Sequence, residues 1–263
     1  MEFRADIDPT VRAQILSELS RIETRHHVDL LFAVESGSRA WGFPSPDSDY
    51  DVRFVYAHRQ EWYLSLTPER DVIEVPISGD LDINGWDIRK ALNLLLKPNP
   101  VLLEWLSSPV RYLWQEDICG ELTSLAKEIG HSTACRHHYL NLGAEQYRRH
   151  IGDAEVVNYK KYFYALRPAL VLRWLRARPG ASPPMNLQAL VTGIELEPDL
   201  TVRISELLDL KAKAKETGSG PRIREIEEFI EAEFTLAREI KSTKVPEQHR
   251  DRATALFRKI VCA

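Results

Sequence analysis

Residues 9–27, PTVRAQILSELSRIETRHH, carry apolar side chains at Val11, Ile15, Leu16 and Leu19. That spacing keeps them on one face of an α-helix, and Pro9 suits a first turn. The next run, VDLLFAVESG (28–37), is short, apolar and closed by Gly37, which predicts a strand. Residues 38–48 read as loop by composition, and DYDVRFVYA (49–57) alternates as a second strand does. WYLSL (62–66) predicts a short helix or loop. DVIEVPI (71–77) and DLDINGW (80–86) predict two more strands around Ser78 and Gly79, residues suited to a hairpin turn. Asp87 is placed to cap a helix IRKALNLLLK (88–97), which stops at Pro98, and PVLLEWLSS (100–108) predicts another.

From Leu122 strand signals almost vanish. In YKKYFYALRPALVLRWLRAR (159–178), Phe163, Leu166, Leu170 and Trp174 follow one another at three, four and four residues, one apolar helix face. Pro168 lies inside that helix and should bend it. RIREIEEFIEAEFTLAREI (222–240) is a second amphipathic helix, and KAKAKETGSGP (211–221) reads as a flexible loop. The expectation is a mixed α and β domain over residues 1–121, followed by a helical domain over 122–263.

Composition narrows the class without changing this picture. The 263 residues carry 35 Lys and Arg against 39 Asp and Glu, a net charge of -4, so nucleic acid would need a local basic groove. Apolar runs stay short of the roughly 18 residues of a membrane span, and the charged start MEFRADIDPTVRAQIL lacks a signal-peptide core. Three scattered cysteines, Cys119, Cys135 and Cys262, point away from a disulfide framework and towards a reducing cytoplasm.

The chemistry concentrates in GSRAWGFPSPDSDYDVRFVY (37–56). Residues two apart in a strand share a face, so Asp49 and Asp51 project together at the strand's start. Paired carboxylates repel unless a cation lies between them, and Mg²⁺ takes such oxygen ligands together with phosphate oxygens. Gly37 and Ser38 offer a tight turn, backbone N–H groups and a hydroxyl to a phosphate. An Asp-x-Asp pair alone also suits a solvated strand start. The weight comes from the constellation of strand, Gly-Ser turn, spacer, Ser-Asp-x-Asp and apolar strand.

That stretch resembles the signature of nucleotidyltransferases of the DNA polymerase β superfamily. GWDIRKALNLLLKPNPVLLEWLSSPVRY (85–112) and KKYFYALRPAL (160–170) resemble a bacterial and phage branch associated with RNA repair, the RlaP-like branch. The resemblance spans Val28 to Leu190. It implies an α+β fold, with a polymerase-β-type nucleotidyltransferase domain (a small mixed sheet with flanking helices) and a C-terminal all-helical domain closing the nucleotide cleft. It further implies that Gly37, Ser38 and Arg39 contact the phosphates of an NTP. Asp49 and Asp51 would bind Mg²⁺, or Mn²⁺ in its place, with a third carboxylate that activates the acceptor hydroxyl. Asp80, Asp82 and Asp87 are the candidates. Asp80 falls in the turn and Asp87 reads as a helix cap, which leaves Asp82 as the choice. Lys160, with Lys161 as its competitor, and Arg167 would hold the triphosphate, while Tyr164 lines the base. The acceptor implied is an RNA end, with a protein side chain or small molecule as rivals. A nucleotide-binding regulatory or antitoxin-like module without turnover is the alternative outside the enzyme class.

Several neighbours have plainer readings. Arg53 shares the Asp51 face and suits either a salt bridge or a phosphate. Trp41 suits packing better than base stacking. Cys135–His138, CRHH, lacks the second ligand pair of a zinc site. Trp86, Trp105 and Trp114 read as core.

Overall fold

The computed structural model describes residues 2–3, 7–67, 69–97, 99–130, 132–213, 218–239 and 247–262. The chain forms two compact units, each discontinuous in sequence: Ala5–Ala40, Asp49–Gly130 and Lys244–Ala263 in one, Met1–Arg4, Trp41–Ser48 and His131–Thr243 in the other.

The first unit is built on a mixed five-stranded sheet. Helix α1 (Pro9–His26) starts on the Asp8 side chain, which accepts from the Thr10 and Val11 amides, with proline in its first turn. It leads into β1 (Val28–Ser36), the short helix α2 (Gly37–Trp41), β2 (Tyr50–His58), α3 (Gln60–Tyr63), β3 (Val72–Glu74) and β4 (Leu81–Asp87). Helices α4 (Ile88–Leu95) and α5 (Val101–Leu106), strand β5 (Arg111–Trp114) and helix α6 (Glu116–Ile129) follow. The strand order is β3-β4-β2-β1-β5. Only the β2–β4 pair is parallel. Asp87 caps α4 as its sequence position suggests, accepting from the Arg89 amide at 2.8 Å. The expected stop at Pro98 lies outside the described residues.

The pairing register places side chains in rungs across one sheet face. Ser36, Asp51 and Asp82 share the first rung, Val34, Arg53 and Asn84 the second, Phe32, Val55 and Trp86 the third. The third rung is core: Phe32 and Val55 are fully buried among Ile88, Leu92, Leu95, Leu102, Trp105 and Leu122, with Trp86 packed against them. Trp86 and Trp105 pack as a tilted pair at 4.0 Å between ring centroids, and Trp114 meets Phe32 at 5.5 Å.

The second unit contains α7 (Ser132–His150), β6 (Val156–Asn158), α8 (Tyr159–Ala177), α9 (Leu187–Thr192), α10 (Pro198–Lys213), β7 (Ser219–Pro221) and α11 (Arg224–Ala237). Helices α7, α8 and α11 pack on one another. The expected apolar face of α8 is in place, with Phe163, Leu166 and Leu170 fully buried.

Three features differ from the sequence reading. First, α6 crosses the expected 121/122 division as one helix, and its Cys119, Leu122, Leu125 and Ala126 join the sheet core. Helix α12 (Glu247–Val261) adds Ala253 and Leu256 to that core, so it belongs to the sheet unit. Second, the helical unit is not wholly helical, because β6 and β7 pair as a two-stranded antiparallel ribbon. Third, only part of 211–221 is loop: Lys211 ends up buried in α10 and 219–221 form β7, while 214–217 lie outside the described residues. Among the described residues, no helix is long and apolar enough to cross a membrane.

Candidate active site

Gly37 stands at the end of β1 with a φ of +60°, a conformation that costs glycine little. A Cβ there would lie 1.9 Å from Oδ2 of Asp51. The turn is therefore glycine for two reasons, its left-handed backbone and the carboxylate pressed against it. Arg39, on the same short helix, donates Nε–H to the Asp49 carbonyl at 3.2 Å and lies 3.8 Å from the Tyr50 ring centroid. That fixes the chain where it re-enters the sheet.

Asp51 and Asp82 face each other on neighbouring parallel strands. Arg53 lies between them. Its guanidinium donates to Asp51 Oδ1 at 2.9 Å and to Asp82 Oδ2 at 2.7 Å. The same group donates to the Asp82 carbonyl at 2.8 Å and the Val52 carbonyl at 3.1 Å. Asn84 approaches the other Asp82 oxygen at 3.5 Å. Asp49 is exposed just ahead of β2. Burial raises the Asp51 carboxyl above its ordinary value. Arg53 opposes the shift, Asp82 and Asp49 add to it, and Arg39 opposes it in turn. A neighbouring guanidinium does not fully offset desolvation, so the site would gain from further positive charge.

Hard oxygen donors on facing strands suit a divalent cation such as Mg²⁺ in kind. Asp51 and Asp82 already converge on one positive group, the Arg53 guanidinium, so the pair fits a cation in position as well. Among the described residues, no three His, Cys, Asp or Glu side chains are grouped to hold a metal ion. The donor set assembled here is thus the Asp51–Asp82 pair, with Asp49 beside it.

Glu35 lies behind this site and was not singled out from the sequence. It is 0% exposed. Its Oε1 accepts from the Asp51 amide at 2.9 Å and its Oε2 from the Tyr112 hydroxyl at 2.5 Å. Both bonds favour the charged form, yet burial outweighs them and pushes the carboxyl up to about 7. The only hint in the sequence is an acid at the end of the apolar run LLFAVES.

The residues expected on α8 belong to the helical unit and divide there. Lys160 lies where its charge acts on Asp47 and Lys211. Lys161 is 5.3 Å from the Tyr164 ring and acts on His150. Arg167 is 4% exposed, donates to the Met185 carbonyl at 3.1 Å and lies 4.9 Å from the Trp41 ring. Phe43 stacks on Phe163 at 4.6 Å. Lys211 is 1% exposed and bonds the Phe43 carbonyl, while burial, then Lys160, lowers its ammonium to about 8. These contacts make Trp41 a packing residue, as expected, and give the Trp41–Ser48 spacer its anchor. Gln188 adds a hydrogen bond to the Gly42 carbonyl.

A family model described as "RNA repair pathway DNA polymerase beta family" matches residues 11–259, well beyond the Leu190 limit of the sequence resemblance. The Bacillus subtilis (strain 168) protein named "Uncharacterized protein YcgL" is 43% identical over 238 residues, covering 89% of this chain and 91% of that protein. A solved nucleotidyltransferase-like protein from Exiguobacterium sibiricum 255-15 aligns with 94% of this chain and 79% of its own, at 12% identity and a TM-score of 0.29. A match over nearly the whole chain, with the Gly-Ser turn and the carboxylate strand in place, makes this protein a member of the RNA repair pathway DNA polymerase beta family.

Proposed function

We propose that this protein is a Mg²⁺-dependent nucleotidyltransferase that moves a nucleoside monophosphate from an NTP to a hydroxyl, with an RNA end as acceptor. The observation that carries the reading is the in-register pairing of Asp51 with Asp82 immediately beside the Gly37–Ser38 turn. The RNA end rests on the family's description.

In this reading Asp51 and Asp82 hold the metal, and Asp49 adds negative charge beside them. When bound, Mg²⁺ lowers the pKa of an acceptor hydroxyl and offsets charge developing on the pyrophosphate. Asp82 is the group that receives the acceptor's proton. Gly37 leaves room for Asp51 to approach the turn, and the Ser38 hydroxyl with the turn's backbone takes the phosphates. Arg39 and Arg53 keep the carboxylates in position and balance their charge. Glu35 anchors the Asp51 amide from behind, so the carboxylate does not swing with its own backbone.

The test incubates the protein with each labelled NTP, Mg²⁺ and RNA bearing free hydroxyl ends. Label is then followed into RNA, protein and small-molecule fractions. Label should enter RNA with pyrophosphate release. Asp51→Asn should lower turnover by more than the roughly 10–100-fold typical of residues that only support a ligand. Its melting temperature should stay near that of wild type. Absence of pyrophosphate release with every NTP, or full turnover in Asp51→Asn, overturns the reading.

A further inference from the structure

Arg53 occupies the point that two facing carboxylates leave for a cation. Side chains at matched positions on neighbouring strands stand close together, and like charges there repel. The chain resolves this repulsion internally. One guanidinium spans both carboxylates and two carbonyls, at 2.7 to 3.1 Å, and its side chain is 15% exposed. Such a planar fork reaches several acceptors at once, which an ammonium does not.

The four carboxylate oxygens are unequally engaged. Asp51 Oδ1 and Asp82 Oδ2 accept from Arg53, and Asp82 Oδ1 faces Asn84. Asp51 Oδ2 is turned to Gly37. A divalent ion that bridges the two aspartates must therefore compete with Arg53 for the same lone pairs. An ion that binds Asp51 from the Gly37 side need not.

We propose that Arg53 is the resident cation of the Asp51–Asp82 pair. It offsets part of the pair's charge in place of one metal ion and sets how strongly the pair takes up another. The inference deepens the proposed function and rests on it for its bearing on catalysis. Its physical content, competition between a guanidinium and a divalent ion, stands on the geometry alone.

The experiment measures Mn²⁺ binding by calorimetry, without nucleotide or acceptor, on the full chain. Wild type, Arg53→Met, Arg53→Lys and the double variant Arg53→Met with Asp82→Asn are compared, each with melting curves with and without Mn²⁺. Arg53→Met should bind Mn²⁺ roughly 10–100-fold more tightly than wild type, the scale on which partners of ligating carboxylates tune a site. The double variant should lose that gain. Arg53→Lys, whose ammonium spans fewer acceptors, should show a smaller gain in the same direction. Mn²⁺ should raise the melting temperature of Arg53→Met more than that of wild type. Equal or weaker Mn²⁺ binding in folded Arg53→Met overturns the proposal. If that variant is unfolded in both conditions, wild-type affinity in Arg53→Lys overturns it instead. A wild-type protein inactive with every NTP would sink the transferase reading and leave this result intact.

Discussion

The two ends of the β2–β4 strand pair share one register and one sheet face, yet they have opposite fates. At the third rung, Phe32, Val55 and Trp86 are roofed by α4, α5, α6 and α12. At the first rung, Ser36, Asp51 and Asp82 stand beside the Gly37 turn, and Arg53 offsets part of the charge among them. Only three residues of each strand separate a packed core from a carboxylate pair. The difference lies in what covers the sheet, because apolar helices stabilise one end and would strand unpaired charges at the other. A rigid core next to the site holds the two aspartates in register at little local cost.

The largest effect should come from cutting into the covered end. Leu92 on α4 is 4% exposed within that core. Leu92→Ala should cost about 2–5 kcal/mol of stability, the usual range for a buried leucine truncated to alanine. Turnover per folded molecule should stay near wild type at low temperature. Urea unfolding and turnover on the same preparation check this. Turnover lost with little change in stability would mean that the two ends are not separable.

Much of the covered end was legible, because alternation and helical spacing follow from burial itself. The shared face of Asp51 and Arg53 was legible from the same alternation, whereas Asp49, expected on that face too, lies exposed ahead of Tyr50, where β2 begins. The Asp51–Asp82 register was not, since parallel pairing passes through the whole segment from α3 to β3 and no local signal fixes it. Period two could say only that Asp80, Asp82 and Asn84 share a face. Glu35 was hidden differently: its partner Tyr112 lies 77 residues away. Trp41 and Phe43 sit in a loop by composition, and their partners Arg167 and Phe163 are more than a hundred positions on. The role of α12 in the sheet core was equally invisible, being a contact between the chain's last helix and its first half.

An intermediate effect should appear behind the site and should depend on pH. Burial pushes the folded Glu35 carboxyl up to about 7 from an ordinary glutamate value near 4.5. A raised pKa contributes stability that is complete below the unfolded value and is lost as pH climbs through the folded one. Between pH 5 and pH 8 wild type should therefore lose stability that Glu35→Gln keeps. The difference should approach about 3 kcal/mol at most, since one pKa unit corresponds to about 1.4 kcal/mol. Glutamine retains an oxygen for the Asp51 amide and a nitrogen for the Tyr112 oxygen, so the local bonding survives. Urea unfolding of both proteins at pH 5 and pH 8 provides the measurement. Parallel losses in the two proteins would show that Glu35 is charged in the folded state well below pH 7, and the buried acid would then need another source of stabilisation.

The smallest effect should come from Asp87, the carboxylate at the covered end of β4. It accepts from the Arg89 amide at 2.8 Å and from the Tyr63 hydroxyl at 2.6 Å, and burial raises its carboxyl above the ordinary range. Asparagine caps helices about as well as aspartate, and its amide can meet a hydroxyl that is able to accept. Asp87→Asn should thus change stability by less than about 1 kcal/mol, the scale of one neutral hydrogen bond. Turnover should match wild type, whereas Asp82→Asn, on the same rung as Asp51 and bonded to Arg53, should lose it. Melting curves and turnover on the two single variants make the comparison. If Asp87→Asn were folded and inactive while Asp82→Asn turned over normally, the third carboxylate would lie at the roofed end of β4, and the division between core and site would have to be redrawn along that strand.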